Sequence, residues 1–228
     1  MSDLWRPVDP ADERVRAGLE RMIEARARAI DAGQRPVGWK IGWNVPAVRE
    51  QLGVSSSVIG FMLESGVRPA AEPVSLAGAA RPGAEVELAL HAGADATLAA
   101  VGPGIEIVDP SGDFGDVVAS LAANVWHRGA AVGEPAAWSD ALLDEIEVRV
   151  EHNGESAGGA VRPRDVIGDP VEIVRFVATT AESLGEILCE GEVILSGLLL
   201  PAPVWVKPGD RVSADYGPLG RIEVDFVR

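Results

Sequence analysis

Two glutamates, Glu85 and Glu87, stand two residues apart in a segment in which apolar and polar side chains alternate. This period-two alternation is typical of a half-buried β-strand, in which residues i and i+2 point to one face, roughly 6–7 Å apart. Neighbouring carboxylates repel one another unless a cation relieves them, and hard divalent cations, Mg²⁺ above all, prefer oxygen ligands. The pair predicts either a solvated acidic strand face, which the segment alone favours, or part of a metal site.

A third carboxylate, Glu106, lies inside the apolar run Ile105-Glu106-Ile107-Val108. An unpaired charge buried in such a run is very costly. Glu106 therefore either faces water from an edge strand or has a cationic partner inside the protein. One cation shared with Glu85 and Glu87 would explain all three carboxylates together.

Lysine is rare in this chain, since only Lys40 and Lys207 occur among 20 basic residues. Lys40 lies in Gly38-Trp39-Lys40-Ile41-Gly42, between large apolar neighbours. Arginine stays protonated, whereas a partly buried lysine can lose its proton near neutral pH. We interpret Lys40 as a proton-transfer group with a lowered pKa, as an ammonium that pairs with an anionic substrate, or as a strand lysine that reaches solvent.

The composition excludes several classes of partner. The 228 residues carry a net charge of −15, so nucleic acid and anionic membrane are poor partners. The single cysteine, Cys189, allows no internal disulfide, and the N-terminus lacks the basic start and apolar core of a signal peptide. There is no apolar run of about 18 residues that could span a membrane. We expect a cytoplasmic protein.

The surrounding pattern predicts one α+β domain built on a rolled sheet. An amphipathic helix is predicted from about residue 9 to 33, a short connection over 95–104, a helix over 116–127 and a strand over 145–152 that enters an Asn153-Gly154 hairpin turn. A helix begins at Asp169-Pro170, and the remainder of the chain consists of short strands. The chain shows no sustained βαβ alternation and no phosphate-binding loop.

An ordered set of motifs resembles the 2-oxopent-4-enoate hydratases and 4-oxalocrotonate decarboxylases of the fumarylacetoacetate hydrolase superfamily. The resemblance covers about residue 36 to the C-terminus. Its motifs are Gly38-Trp39-Lys40-Ile41-Gly42, Glu85-Val86-Glu87, Ile105-Glu106-Ile107-Val108-Asp109, Asn153-Gly154-Glu155, Ile167-Gly168-Asp169-Pro170, Gly191 to Gly197, and Lys207 to Gly220.

The resemblance implies a rolled mixed β-sandwich with an N-terminal helix and flanking helices, in which residues 1–35 form a helical segment and 36–228 the catalytic domain. It implies a homo-oligomer that acts on a small 2-oxo acid. Mg²⁺ or Mn²⁺ would be held by Glu85, Glu87 and Glu106 and would polarise the substrate, with Lys40 as the catalytic residue. Substrate contacts are implied at Ser196, Gly197 and Leu198.

Several positions depart from the resemblance. Val58-Ile59-Gly60 lacks an acidic residue, the segment after Asp109 lacks an arginine, and Asn124-Val125-Trp126 stands in place of Asn-Ala-Ser. Leu198 replaces a polar residue. These departures predict a more apolar substrate, or another enolate reaction such as decarboxylation or C–C hydrolysis. The alternative is a catalytically silent relative that binds a small acid or an active paralogue.

Overall fold

The computed structural model of this chain describes residues 5–9, 11–69, 72–111 and 115–228. The helices are α1 (Glu13–Asp31), α2 (Pro46–Leu52), α3 (Val117–Ala122), α4 (Asp140–Glu145), α5 (Pro163–Ile167) and α6 (Pro170–Ser183). The strands are β1 (Pro36–Gly42), β2 (Val58–Leu63), β3 (Val67–Pro69), β4 (Val74–Ser75), β5 (Gly83–Ala92), β6 (Leu98–Val108), β7 (His127–Val132), β8 (Ala136–Ala137), β9 (Arg149–His152), β10 (Glu155–Ser156), β11 (Val193–Leu195), β12 (Val204–Trp205), β13 (Arg211–Asp215) and β14 (Arg221–Val227).

The strands form two mixed sheets. The larger has nine strands in the order β2-β1-β11-β5-β6-β7-β3, with β12 paired to β5 and β8 to β6. The smaller has five, in the order β10-β9-β13-β14-β4. One hydrophobic cluster joins both sheets to α1 and α6, through side chains such as Leu88, Val224, Met22 and Ile173. The architecture agrees with the predicted α+β class.

The predicted N-terminal helix begins and ends close to the expected residues. Asp12 caps α1, since its side chain accepts hydrogen bonds from the backbone N–H groups of Arg14 and Val15, as N-cap aspartates commonly do. The helix packs on α3, where Gly18 lies against Leu121. The division of the chain at residue 35 stays a prediction. No helix in the described ranges is long and apolar enough to cross a membrane.

The connection predicted over 95–104 is wrong, because β6 begins at Leu98 and pairs with β5 along its length. The glycines of this segment allow neighbouring parts of the chain to pack closely against the strand, and they do not form a loop. A Cβ on Gly104 would lie 3.1 Å from the Leu195 side chain, and one on Gly102 would lie 3.3 Å from backbone oxygens at 133 and 134. Glycine inside a strand often marks such close approach.

Two other predicted elements are shorter than expected. The helix predicted over 116–127 ends at Ala122, because Asn124, Val125 and Trp126 take positive φ angles. The strand predicted over 145–152 begins only at Arg149, since the residues up to Glu145 belong to α4. The first change depends on tertiary hydrogen bonds between Asn124 and Phe61. The second is local, because Ser139 caps α4 by accepting from the Leu142 N–H.

Strand β1, which carries Lys40, is the second strand from one edge of the larger sheet. It pairs antiparallel with β2, Lys40 opposite Gly60, and parallel with β11, Lys40 opposite Leu195. Gly38 has φ 155° and approaches Val193 so closely that a Cβ would lie 1.8 Å from that residue's carbonyl oxygen. Only glycine fits there, which explains the glycine two residues before Lys40.

Candidate functional site

Two neighbouring strands, β5 and β6, bring the three predicted carboxylates together. Glu85 and Glu87 share one face of β5, and Glu106 lies directly opposite Glu85 on β6. Each of the three offers a carboxylate oxygen, and these oxygens all lie within 4.8 Å of one another. Lys40 approaches from β1, with its Nζ 3.1 Å from Glu106 Oε1. The four residues singled out in the sequence therefore form one cluster.

In each of the two buried carboxylates, one oxygen is held by the protein and the other is not. Glu87 Oε2 accepts a hydrogen bond from the Gly197 backbone N–H at 2.7 Å, and Glu106 Oε1 accepts from Lys40 Nζ and His127 Nδ1. Glu87 Oε1 and Glu106 Oε2 are buried without a hydrogen-bond partner among the described residues. Unpaired buried anionic oxygens are unfavourable, and this hard-oxygen donor set fits a divalent cation such as Mg²⁺.

The charges of the cluster point to the same conclusion. Removal from water and the charge of Glu106 raise the pKa of Glu85 to about 7, and the same two causes raise the pKa of Glu87 well above its usual value. Burial opposes ionisation of Glu106, but the Lys40 ammonium and the His127 hydrogen bond outweigh it and lower the pKa of that carboxyl. One ammonium against three carboxylates leaves two negative charges, which a divalent cation would neutralise.

Lys40 is an ammonium in this environment. Burial alone lowers the pKa of a lysine, but the charges of Glu106, Glu85 and Glu87 outweigh it and raise the pKa of Lys40. Its Nζ also donates to the Val125 carbonyl oxygen at 3.2 Å. In the metal-free protein the geometry therefore favours the interpretation as a charged, anion-pairing lysine over that of a lysine with a lowered pKa.

The metal-free protein is expected to lose stability as the pH rises from 5.5 to 8. A glutamate in the unfolded chain has a pKa of about 4.3, whereas the pKa of Glu85 in the folded protein is about 7. The raised pKa of Glu87 acts in the same direction, whereas His91, whose pKa is lowered by burial, opposes them in the lower part of the window. Two glutamates outweigh one histidine, so the folded state binds more protons and the free energy of unfolding falls with pH. Glu106, whose pKa is lowered, completes its titration below the window, and Lys40, whose pKa is raised, titrates above it.

Urea unfolding of EDTA-treated protein at both pH values measures this slope, and the double variant Glu85→Gln, Glu87→Gln should flatten it. Added Mg²⁺ should stabilise more at pH 8 than at pH 5.5, because metal ligands must be deprotonated. A metal-free protein that is equally stable at both pH values would contradict the prediction.

His127 is a part of the site that the sequence reasoning missed. Its Nδ1 lies 2.8 Å from Glu106 Oε1, and since an ionised carboxylate can only accept, this nitrogen carries the proton. No local pattern marks it, because it stands at the end of the predicted helix. Only the pairing of β6 with β7, in which Val108 lies opposite His127, brings it to Glu106.

We expect His127→Ala to weaken divalent-metal binding about 10–100-fold, the usual effect of removing a residue that orients a ligating carboxylate. Isothermal titration with Mn²⁺ or Mg²⁺ measures the change. His91→Ala is the matched control, because His91 is also partly buried on the larger sheet, and its Nε2 has no partner among described residues. Equal metal affinities for both variants would refute a role for His127.

A cavity of about 420 Å³ opens beside the cluster, with Lys40 and Glu85 among its lining residues. Of the three predicted substrate contacts, Leu198 lines this cavity, whereas Ser196 and Gly197 are not among the lining residues. Ser196 Oγ instead accepts from the Leu88 N–H at 2.9 Å, and Gly197 donates to Glu87. Both therefore fix β5 and its carboxylate, and direct substrate contact by them stays a prediction.

One wall of the cavity is a strained turn. Asn124, Val125 and Trp126 have φ angles of 54°, 51° and 62°, a region that costs of order 1–3 kcal/mol for non-glycine residues and occurs often at functional sites. The Asn124 amide makes two 2.8 Å hydrogen bonds with the Phe61 backbone. The Trp126 carbonyl oxygen accepts from the Asp109 N–H at 2.9 Å. These bonds hold Val125 and Trp126 against the cavity.

Comparison with known proteins identifies relatives of this chain. No family model matches the chain. A 2-keto-4-pentenoate hydratase of Paraburkholderia xenovorans (strain LB400) is 32% identical over 218 residues, which cover 87% of this chain and 79% of that protein. A 4-oxalocrotonate decarboxylase of Pseudomonas putida is 29% identical over 225 residues, which cover 90% of this chain and 82% of that protein.

Solved structures of related enzymes match the fold of this chain. The 4-oxalocrotonate decarboxylase from Pseudomonas putida G7, complexed with magnesium and adipate, matches with a TM-score of 0.82 at 25% identity over 90% of this chain and 83% of that one. A fumarylpyruvate hydrolase from Pseudomonas aeruginosa, at 15% identity and a TM-score of 0.61, shares the fold. The fold is that of the fumarylacetoacetate hydrolase superfamily, which confirms the predicted fold class. Within it, the chain belongs to the family of 2-keto-4-pentenoate hydratases and 4-oxalocrotonate decarboxylases.

Proposed function

We propose that this chain is a divalent-metal-dependent lyase that adds water to, or removes carbon dioxide from, a 2-oxo or 2-hydroxydienoic acid. The observation that carries the proposal is the cluster of Glu85, Glu87 and Glu106 beside the Lys40 ammonium, at the edge of a cavity. Family membership supports the reaction class, because the relatives are hydratases and decarboxylases. Both reactions require electrons to be drawn toward a 2-oxo group.

Glu85, Glu87 and Glu106 would hold the cation. When bound, Mg²⁺ or Mn²⁺ would supply Lewis-acid polarisation of the 2-oxo group and stabilise the negative charge that develops there. The protein prepares for this by fixing one oxygen of Glu87 through Gly197 and one oxygen of Glu106 through Lys40 and His127. The remaining carboxylate oxygens are then left for the cation.

Lys40 would hold the substrate and move a proton. An ammonium has three donors, and two of them are directed to Glu106 and Val125. The third is left for a substrate carboxylate in the cavity that Lys40 lines. From that position the ammonium can also return a proton to the substrate carbon chain, as a general acid.

The experiment is a metal titration of EDTA-treated protein with 2-hydroxypenta-2,4-dienoate and with 4-oxalocrotonate. We expect turnover of at least one of them only after Mg²⁺ or Mn²⁺ is added. Loss of dienol absorbance monitors hydration, and carbon dioxide release monitors decarboxylation. Binding of oxalate without turnover of either compound would favour the silent relative instead. Metal that changes neither the melting temperature nor activity would refute the metal-dependent lyase. We further propose a cytoplasmic homo-oligomer, and sedimentation tests the assembly.

A further inference from the structure

We propose that the substrate of this enzyme carries an uncharged, bulky apolar tail, aromatic or branched, and that Trp126 and Leu198 select for it. The inference rests on the proposed function, because it concerns the part of the cavity that extends from the carboxylate cluster. The volume of about 420 Å³ falls in the range of about 300–1,000 Å³ that accommodates much larger ligands than a five-carbon acid.

The walls of the cavity away from the cluster are mostly apolar. Trp43, Val48, Pro110, Trp126, Leu198 and Trp205 are among the lining residues. Asn44 also lines the cavity, but its amide is already used: Nδ2 donates to the Leu198 carbonyl oxygen at 2.9 Å, and Oδ1 accepts from the Leu198 N–H at 3.1 Å. Besides Arg81, two polar side chains remain on these walls: Gln51, which is exposed, and Trp43, whose Nε1 is buried without a hydrogen-bond partner among the described residues. One buried donor offers few partners to a polar tail, so burial of such a tail is disfavoured.

Both selecting residues sit on backbone that is held in place. The positive-φ turn that carries Trp126 is bonded to β2 through the Asn124 side chain. The Trp126 carbonyl oxygen also accepts a hydrogen bond from the Asp109 N–H. The backbone N–H and the carbonyl oxygen of Leu198 both hydrogen-bond to the Asn44 side chain. A Cβ on the preceding Gly197 would lie 2.6 Å from Asn44. The apolar walls are therefore preorganised and bind a matching tail with little loss of conformational freedom.

One cationic side chain, Arg81, could argue instead for a tail that ends in a carboxylate. Its guanidinium carbon lies 4.1 Å from the centroid of the Trp205 ring. Arg81 is exposed, and Trp205 is 40% exposed. Water screens a cation in such a place, and stacking on the ring already uses its face. Because the N–H groups at the edge of the guanidinium can still donate, binding of 2-oxoadipate in the test below decides whether Arg81 selects a distal carboxylate.

The test is calorimetric binding of three unreactive 2-oxo acids to the Mg²⁺-loaded protein: 2-oxobutanoate, 2-oxo-4-phenylbutanoate and 2-oxoadipate. We expect the phenyl compound to bind at least about tenfold more tightly than either of the others, since even one methylene in an apolar pocket is worth about 10–200-fold. Equal affinities, or tightest binding of 2-oxoadipate, would overturn the inference. If 2-hydroxypenta-2,4-dienoate is still turned over in that case, the proposed function stands while this inference fails.

Variants assign the selection to residues. Trp126→Ala and Leu198→Ser should each reduce the affinity ratio between 2-oxo-4-phenylbutanoate and 2-oxobutanoate by about tenfold. Trp138→Ala is the matched control, because Trp138 is also partly buried but is not among the residues lining the cavity. If a variant fails to fold, the affinity ratio of the wild-type protein still tests whether the cavity prefers an apolar tail. A ratio unchanged in folded Trp126→Ala would remove Trp126 from the proposal.

Discussion

Glu87→Gln should lose the rise in melting temperature that Mg²⁺ gives the wild-type protein, and should lose more than about 100-fold in kcat/KM. The magnitude follows because removing a residue that only orients a metal ligand already costs about 10–100-fold, and Glu87 is proposed as a ligand. Its Oε1 is one of the two buried carboxylate oxygens without a partner among the described residues. A glutamine in its place supplies no negative charge to the cation.

The same variant should not destabilise the metal-free protein at pH 8. Glutamine keeps an oxygen for the Gly197 N–H, which lies 2.7 Å from Glu87 Oε2. It also removes a carboxyl whose pKa is raised by burial and by Glu106 and Glu85, and so relieves their repulsion. Urea unfolding with EDTA should therefore give a free energy of unfolding at or above that of the wild type. A fall in metal-free stability would mean that Glu87 is structural.

Glu192→Gln is the matched control for this experiment. Glu192 is also buried, and its Oε2 accepts hydrogen bonds from the Cys189 N–H at 2.9 Å and from Trp39 Nε1 at 3.3 Å, outside the carboxylate cluster. Weakening these charged hydrogen bonds should cost up to about 1–3 kcal/mol. The rise in melting temperature with Mg²⁺ should remain. If both variants lose that rise, the effect of Glu87→Gln is not specific to the proposed metal site.

Lys40→Met should lower kcat by about 10²–10⁴-fold, the range typical of a positioned acid or base. The Lys40 side chain is 2% exposed, and methionine fills a similar volume without the charge. Without its ammonium, Glu106 is left buried with His127 as its donor, so the metal-free variant should lose up to about 3–5 kcal/mol of stability. Added Mg²⁺ should recover part of that loss, because the cation replaces the missing positive charge.

Lys207→Met provides the control, since Lys207 is exposed and is the other lysine of the chain. It should leave kcat and both stabilities close to those of the wild type. Steady-state kinetics and urea unfolding, each with and without Mg²⁺, separate the two effects. Activity of Lys40→Met within about tenfold of wild type, in a folded protein, would remove Lys40 from the chemistry.

The sequence by itself determined the residues of the proposed centre but not their arrangement. Period-two alternation is a local property, so it was sufficient to place Glu85 and Glu87 on one face of a strand. The apolar neighbours of Lys40 and Glu106 predicted that both charges need partners. The ordered motifs identified the family, and the comparisons confirmed it.

The tertiary structure decided what depends on partners distant in the chain. The register that sets Glu106 opposite Glu85, the strand formed by residues 98–103, and the approach of His127 to Glu106 all arise from pairing between strands. The turn at Val125 and Trp126 opposes local preference and is held by bonds from Lys40, Phe61 and Asp109. Because the free energy of such contacts comes from residues far apart in sequence, no local pattern could predict them.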